Sequence, residues 1–124
     1  MPYAHDIVIS LDFDGVLHHY KEREENFPVP GGAPVAGAKA AVGWLIAQKY
    51  QLVIHSARSN EPGGVEAIEQ WLQHWEFPPI PVSLEKPEAA LYVDDRGFRF
   101  DGSFSGLVAY LMENPKPGRW GKNA

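Results

Sequence analysis

Apolar and polar positions fall in blocks along this chain, and the blocks predict its elements. Ile7-Val8-Ile9-Ser10-Leu11 is a short, β-branched run, and residues 6–13 read as a buried strand. Across residues 36–49, Ala38, Ala41, Val42, Leu45 and Ile46 recur at the spacing of one helical face. Leu52-Val53-Ile54-His55 predicts a second buried strand. Glu61-Pro62-Gly63-Gly64 then opens a second helix, on which Val65, Ile68, Leu72 and Trp75 repeat at helical spacing. Phe77-Pro78-Pro79-Ile80-Pro81 excludes regular structure, because proline lacks the donor N–H and fixes its own backbone. A short Val82-Ser83-Leu84 stretch follows, then a third clear strand at Ala90-Leu91-Tyr92-Val93. Leu107, Val108, Leu111 and Met112 predict a last helix. Trp44, Trp71 and Trp75 fall on helices and read as packing residues.

Strands alternating with helices imply an α/β fold: a three-layer, Rossmann-like parallel sheet with helices on both faces. The polar, then Pro/Gly-rich segment 18–33 is expected to form a surface flap, with a solvated charge run at Lys21–Glu25. Residues 114–124 read as a loose tail that Trp120 alone would pin. At 124 residues the chain is expected to be one domain, 1–124.

Composition narrows the function classes. Hydrophobic residues at 44% and charged residues at 22% are ordinary for a globular protein. A net charge of −5 argues against general nucleic-acid binding driven by counterion release. Cysteine is absent, which excludes disulfides and thiolate metal sites. No apolar run approaches the ~18 residues of a membrane span. No basic segment followed by an apolar stretch opens the chain, so the expected location is the cytoplasm.

The strand ends carry the chemistry. Asp12 and Asp14, in Asp12-Phe13-Asp14-Gly15, follow the first strand directly. Side chains at i and i+2 leave a strand on the same face, so both acids address one point beyond its carboxyl end. That arrangement suits a carboxylate nucleophile beside a proton-handling acid around a metal ion. Gly15 permits a left-handed exit. Ser56 and Arg58 follow the second strand, Lys86 precedes the third, and Asp94-Asp95-Arg96-Gly97 follows it. Open parallel sheets bind ligands outside those strand ends.

In this order (DxDG, a serine after a strand, a lysine, an acidic pair after a strand), residues 7–96 resemble the haloacid dehalogenase superfamily of phosphotransferases. Asp-Asp-Arg-Gly followed by Phe-Arg-Phe also resembles the phosphatase domain of polynucleotide kinase-phosphatases. The resemblance implies Asp12 as the nucleophile that forms an aspartyl-phosphate, and Asp14 as general acid and then base. It implies Ser56 and Lys86 as ligands of the phosphoryl oxygens. A Mg²⁺ site would be formed by the Asp12 carboxylate, the Asp14 main-chain carbonyl, Asp94 and Asp95, with Asp95 favoured as the closer of the pair.

Charge counting supports a cation there. With Asp14 taken as protonated, three carboxylates and a phosphate dianion would share one site. Like charges ~4 Å apart at an effective dielectric near ~20 repel by about 4 kcal/mol per pair. A divalent ion and Lys86 offset much of that. Mg²⁺ suits an all-oxygen, water-retaining site. Arg58 and Arg96 either bind substrate or pair with a carboxylate. His18, His19 and His55 read as ordinary loop and strand residues, because the acids already fill the metal and proton roles.

The expected function is therefore Mg²⁺-dependent phosphomonoester hydrolysis. Neither 15–55 nor 57–85, each including a helix, has room for a folded cap, so the site should be open to a bulky substrate such as a nucleotide or polynucleotide phosphate end. Two alternatives remain. A receiver-like signalling module uses the same residue types, but with the acidic pair first and the lysine last. A non-catalytic phosphate- and metal-binding relative would keep the fold as a scaffold, although such a relative need not retain both acids of the DxD.

Overall fold

Strand β1 is Val8–Leu11, and its last three residues are buried. In the computed structural model, which describes residues 7–19 and 26–116, this strand has neighbours on both sides. Helix α1 (Ala38–Ala47), β2 (Gln51–His55), a 3₁₀ turn (Ala57–Asn60), α2 (Gly64–His74), β3 (Val82–Ser83), β4 (Leu91–Val93) and α3 (Phe104–Glu113) follow in chain order. The strands form one sheet in the order β3-β2-β1-β4, and every pairing is parallel. The fold is α/β and Rossmann-like. From β1 the chain steps to β2 and β3 on one side, and β4 then pairs with β1 on the other. The reversal falls between β1 and β4, where open sheets of this kind bind ligands.

Register fixes what meets at the strand ends. Leu11 pairs with Ile54 on β2 and with Val93 on β4. One step further, Asp12 N–H donates to Val93 O at 2.9 Å. Beneath this rim Ile9, Leu11, Phe13, Leu52, Ile54, Ile68 and Leu72 form the core. Each such side chain contributes about 1.5–3 kcal/mol by leaving water.

Helix α2 buries Ala67, Ile68, Trp71 and Leu72 at spacings of one, three and four. Of the aromatic positions expected to pack, Trp71 is buried, whereas Trp75 is 37% and Trp44 58% exposed. Helix α1 buries only Ala38 and Val42, so its apolar periodicity overstates the stripe that finds a partner. Between them, 15–55 and 57–85 contain connecting segments, strands β2 and β3, the 3₁₀ turn and the two helices, with no folded insertion among the described residues.

Where one domain is expected, the contacts group the chain into two compact units, Met1–Asp94 and Asp95–Ala124. The second holds α3, which begins at the Ser103 cap, where Ser103 Oγ accepts from Ser105 N–H at 3.2 Å. Its aromatic contacts are Phe98 on Tyr110 and Phe100 on Phe104, with ring centroids 5.3 and 5.0 Å apart. No residue of α3 is buried. The Lys21–Glu25 run, as part of 20–25, and Trp120, as part of 117–124, lie outside the described residues. No helix among the described residues is long and apolar enough to cross a membrane.

Candidate active site at the carboxyl ends of the strands

Asp12 stands at the mouth of the central strand pair, half-buried, and its Oδ1 accepts from the next amide, Phe13 N–H, at 2.8 Å. Because Leu11 and Val93 are register partners, Asp12 and Asp94 occupy the next step on adjacent strands. Both therefore flank the switch point of the sheet. The sequence favours Asp95 as the metal partner, but the register sets Asp94 beside Asp12. Asp95 and Arg96 are exposed residues at the start of the second unit.

Ser56 lies past the end of β2 and is buried. It caps the 3₁₀ turn by accepting Arg58 N–H on Oγ at 3.2 Å, which leaves its hydroxyl proton to donate. Lys86 Nζ rests 4.7 Å from the centroid of the Tyr92 ring. Tyr92 pairs in register with Ser10, so alternation puts that ring on the sheet face from which Asp12 departs two residues later.

Asp14 is where the structure departs most from expectation. Its carboxylate receives Arg58 Nε on both oxygens, at 3.1 and 2.9 Å, and His18 Nδ1 on Oδ1 at 2.8 Å. Both donors are fully buried, and Asp14 is 16% exposed. Burial alone would raise the Asp14 pKa. The hydrogen bonds from His18 and Arg58, and then the Arg58 charge, outweigh it and hold the carboxyl below its usual value. The expectation of a protonated Asp14 is thus reversed, because Arg58, distant in sequence, and His18, four residues on, together stabilise its charged form. Arg58 correspondingly takes the carboxylate-pairing alternative rather than projecting into solvent for substrate.

His18 is likewise not an ordinary loop residue. Its ring stacks on Phe13 with centroids 5.1 Å apart and meets the edge of Trp71 at 5.6 Å. Its Nε2 accepts Gly32 N–H at 2.9 Å, so the ring proton belongs on Nδ1, facing Asp14. Gly32 is required by close approach: a Cβ there would lie 2.3 Å from His19 O. Trp71 Nε1 donates to Gly32 O at 2.8 Å, and Arg58 Nη1 donates to Pro28 O at 2.8 Å. The described part of the expected flap, from Asn26 onward, is therefore fastened to the body of the first unit. Gly15 does make the left-handed exit, at φ +86°. One sequence signal for His18 existed, since it directly follows Val16-Leu17 and so extends an apolar run.

The residues present fit a magnesium ion in one respect. Mg²⁺ keeps several waters and needs only one or two protein carboxylates, which Asp12 and Asp94 supply. No group of three or more His, Cys, Asp or Glu side chains that would hold a metal exists among the described residues. Asp14 is engaged with Arg58 instead.

No protein-family model matches this chain, and no curated protein does. One solved structure shares its fold. It is a conserved protein from Bacteroides thetaiotaomicron, 20% identical, with a TM-score of 0.56 over 89% of this chain and 92% of that one. Likeness at that identity extends to the architecture, so the chemistry rests on the side chains themselves.

Proposed function

We propose that this protein is a Mg²⁺-dependent phosphomonoester hydrolase of the haloacid dehalogenase type. The observation that carries this reading is the placement of Asp12 and Asp94 at adjacent strand ends, across the switch point of a parallel sheet. Asp12 attacks phosphorus and breaks the ester P–O bond, forming an aspartyl-phosphate and releasing the leaving group as its oxyanion, which takes a proton from water. Water then attacks that phosphorus, freeing phosphate and restoring the Asp12 carboxylate. Ser56 donates to a phosphoryl oxygen, and Lys86 supplies positive charge. Asp12 and Asp94 would hold Mg²⁺, with the Asp14 main-chain carbonyl and Asp95 as further oxygen donors by resemblance to the superfamily. When bound, that ion neutralises charge on the phosphoryl oxygens.

Asp14 takes a narrower role than the resemblance implies. A carboxylate paired with Arg58 is ready to accept a proton from the attacking water, and ill suited to give one to the departing alcohol in the first step. Leaving groups that depart unprotonated, such as aryl oxides, are therefore favoured. By size the site admits a phosphomonoester carried on a large group, with a 3′-phosphorylated nucleotide or polynucleotide end as the first candidate. The sugar oxygen of that end, unlike an aryl oxide, must draw its proton from water and is expected to leave more slowly. Among the described residues of 15–55 and 57–85 there is no folded insertion, which supports access for such a group.

The test is hydrolysis of an aryl phosphate with and without Mg²⁺, in wild type and Asp12→Asn. Turnover is expected only in wild type and only with the metal. A substrate panel in which only small sugar phosphates react would remove the polynucleotide assignment. A second reading, a phosphate- and metal-binding module without turnover, is favoured by one observation, the clamping of Asp14 by Arg58. Stoichiometric phosphate binding without hydrolysis would establish it.

A further inference from the structure

The hydrogen bonds around Asp14 extend in two directions through the same side chains. Each donor to the carboxylate also grips the segment that begins at Phe27. His18 carries Asp14 on Nδ1 and the Gly32 amide on Nε2. Arg58 carries Asp14 on Nε and Pro28 O on Nη1, with its Cζ 4.8 Å from the Phe27 ring centroid. Trp71, which meets the His18 ring edge-on, closes the circuit by donating to Gly32 O.

We infer that His18 is a positioning residue, an imidazole in one fixed tautomer that orients Asp14 toward the site and fastens the Phe27–Pro34 segment beside it. The inference rests on the phosphohydrolase reading for its kinetic consequence, but not for the bridge itself. An apolar ring would pack equally well on Phe13 and Trp71. Such a ring would leave the Gly32 amide without its acceptor and Asp14 without one of its donors. A buried amide and carboxylate deprived in this way are costly, so each polar end of His18 supplies a bond that an apolar ring could not.

Two amide substitutions separate the ends. In His18→Asn the side-chain NH₂ sits near the place of Nδ1, where it can donate to Asp14, and nothing reaches Gly32. In His18→Gln the longer side chain offers its carbonyl near the place of Nε2, where it can accept from Gly32, while the donor to Asp14 is lost. The readouts are aryl phosphate kinetics and hydrogen exchange of the Gly32 amide, both on the full chain. His18→Asn is expected to keep kcat within about threefold while Gly32 loses protection. His18→Gln is expected to keep Gly32 protected while kcat falls by about 100-fold, the scale of effect that follows from misplacing a reacting group. Should neither variant fold, His18→Phe retains the stack and is expected to lose both kcat and Gly32 protection.

A residue that only fills space would make the two amide variants behave alike and would leave His18→Phe fully active. Either result overturns the assignment. A wild type that exchanges as described but turns over no phosphomonoester removes the functional reading, and the catalytic role of His18 with it. An active wild type matched by His18→Gln removes the positioning role alone.

Discussion

The surroundings of Asp14 and the helix α3 are both rich in aromatic and apolar side chains, yet they end in opposite conditions. Around Asp14, Phe13, His18, Trp71 and Arg58 are buried against one another, and every ring has a partner of defined geometry. On α3, Phe104, Val108, Tyr110, Leu111 and Met112 stay exposed, Met112 at 79%. Apolar content is similar, so content does not decide burial. The first cluster is closed by directional bonds whose polar ends all find partners, and those bonds leave one arrangement satisfied. Helix α3 has a cap and helical periodicity, but neither supplies a surface that encloses it.

The largest contrast should appear on breaking the ion pair. Arg58→Met leaves Asp14 as an uncompensated, mostly buried carboxylate, and denaturant unfolding is expected to show a loss of about 3 kcal/mol. Acid offers a second, reversible route to the same bond. Because the folded Asp14 pKa is depressed, the stability it confers is complete above the unfolded carboxylate value of ~3.9. That stability drains away as pH falls toward the lower folded value. Thermal melts from neutral to acid pH should therefore show wild type losing more stability than Asp14→Asn, in which this titration is absent.

A change of opposite sign is expected close by. Ser59 Oγ is buried and has no hydrogen-bond partner among the described residues. Ser59→Ala removes an unsatisfied polar atom and should raise stability by about 1 kcal/mol in the same assay. On α3, Met112→Ser is expected to shift stability by no more than about 0.5 kcal/mol. A loss there as large as that of Arg58→Met would erase the distinction between the two regions.

The same contrast explains what could be read from the chain. Strand β1, the Gly15 exit and the convergence of Asp12, Ser56 and Asp94 on one rim follow from local pattern plus the rules of parallel sheets, and they were legible. The state of Asp14 was not, because its ion-pair partner Arg58 lies 44 positions away, beyond the reach of any local pattern. The role of His18 depends on Gly32 and Trp71, which come near only once the chain has folded. Helical spacing likewise identified α1 and α2 but not which tryptophan would be covered. Periodicity assigns a face, whereas burial depends on what packs against it. Register, which sets Asp94 beside Asp12, is likewise supplied by no sequence pattern.

The central claim is that the Asp12 carboxylate takes the phosphoryl group. It is tested most directly by acid-quenching the protein during turnover of an aryl phosphate with Mg²⁺ and mapping the modified peptide by mass spectrometry. The account predicts one hydroxylamine-labile phosphoryl group on Asp12, accumulating further in Asp14→Asn, where the proton acceptor for water is lost. A phosphoryl group on any other residue, or turnover that continues unchanged in Asp12→Asn, would contradict it.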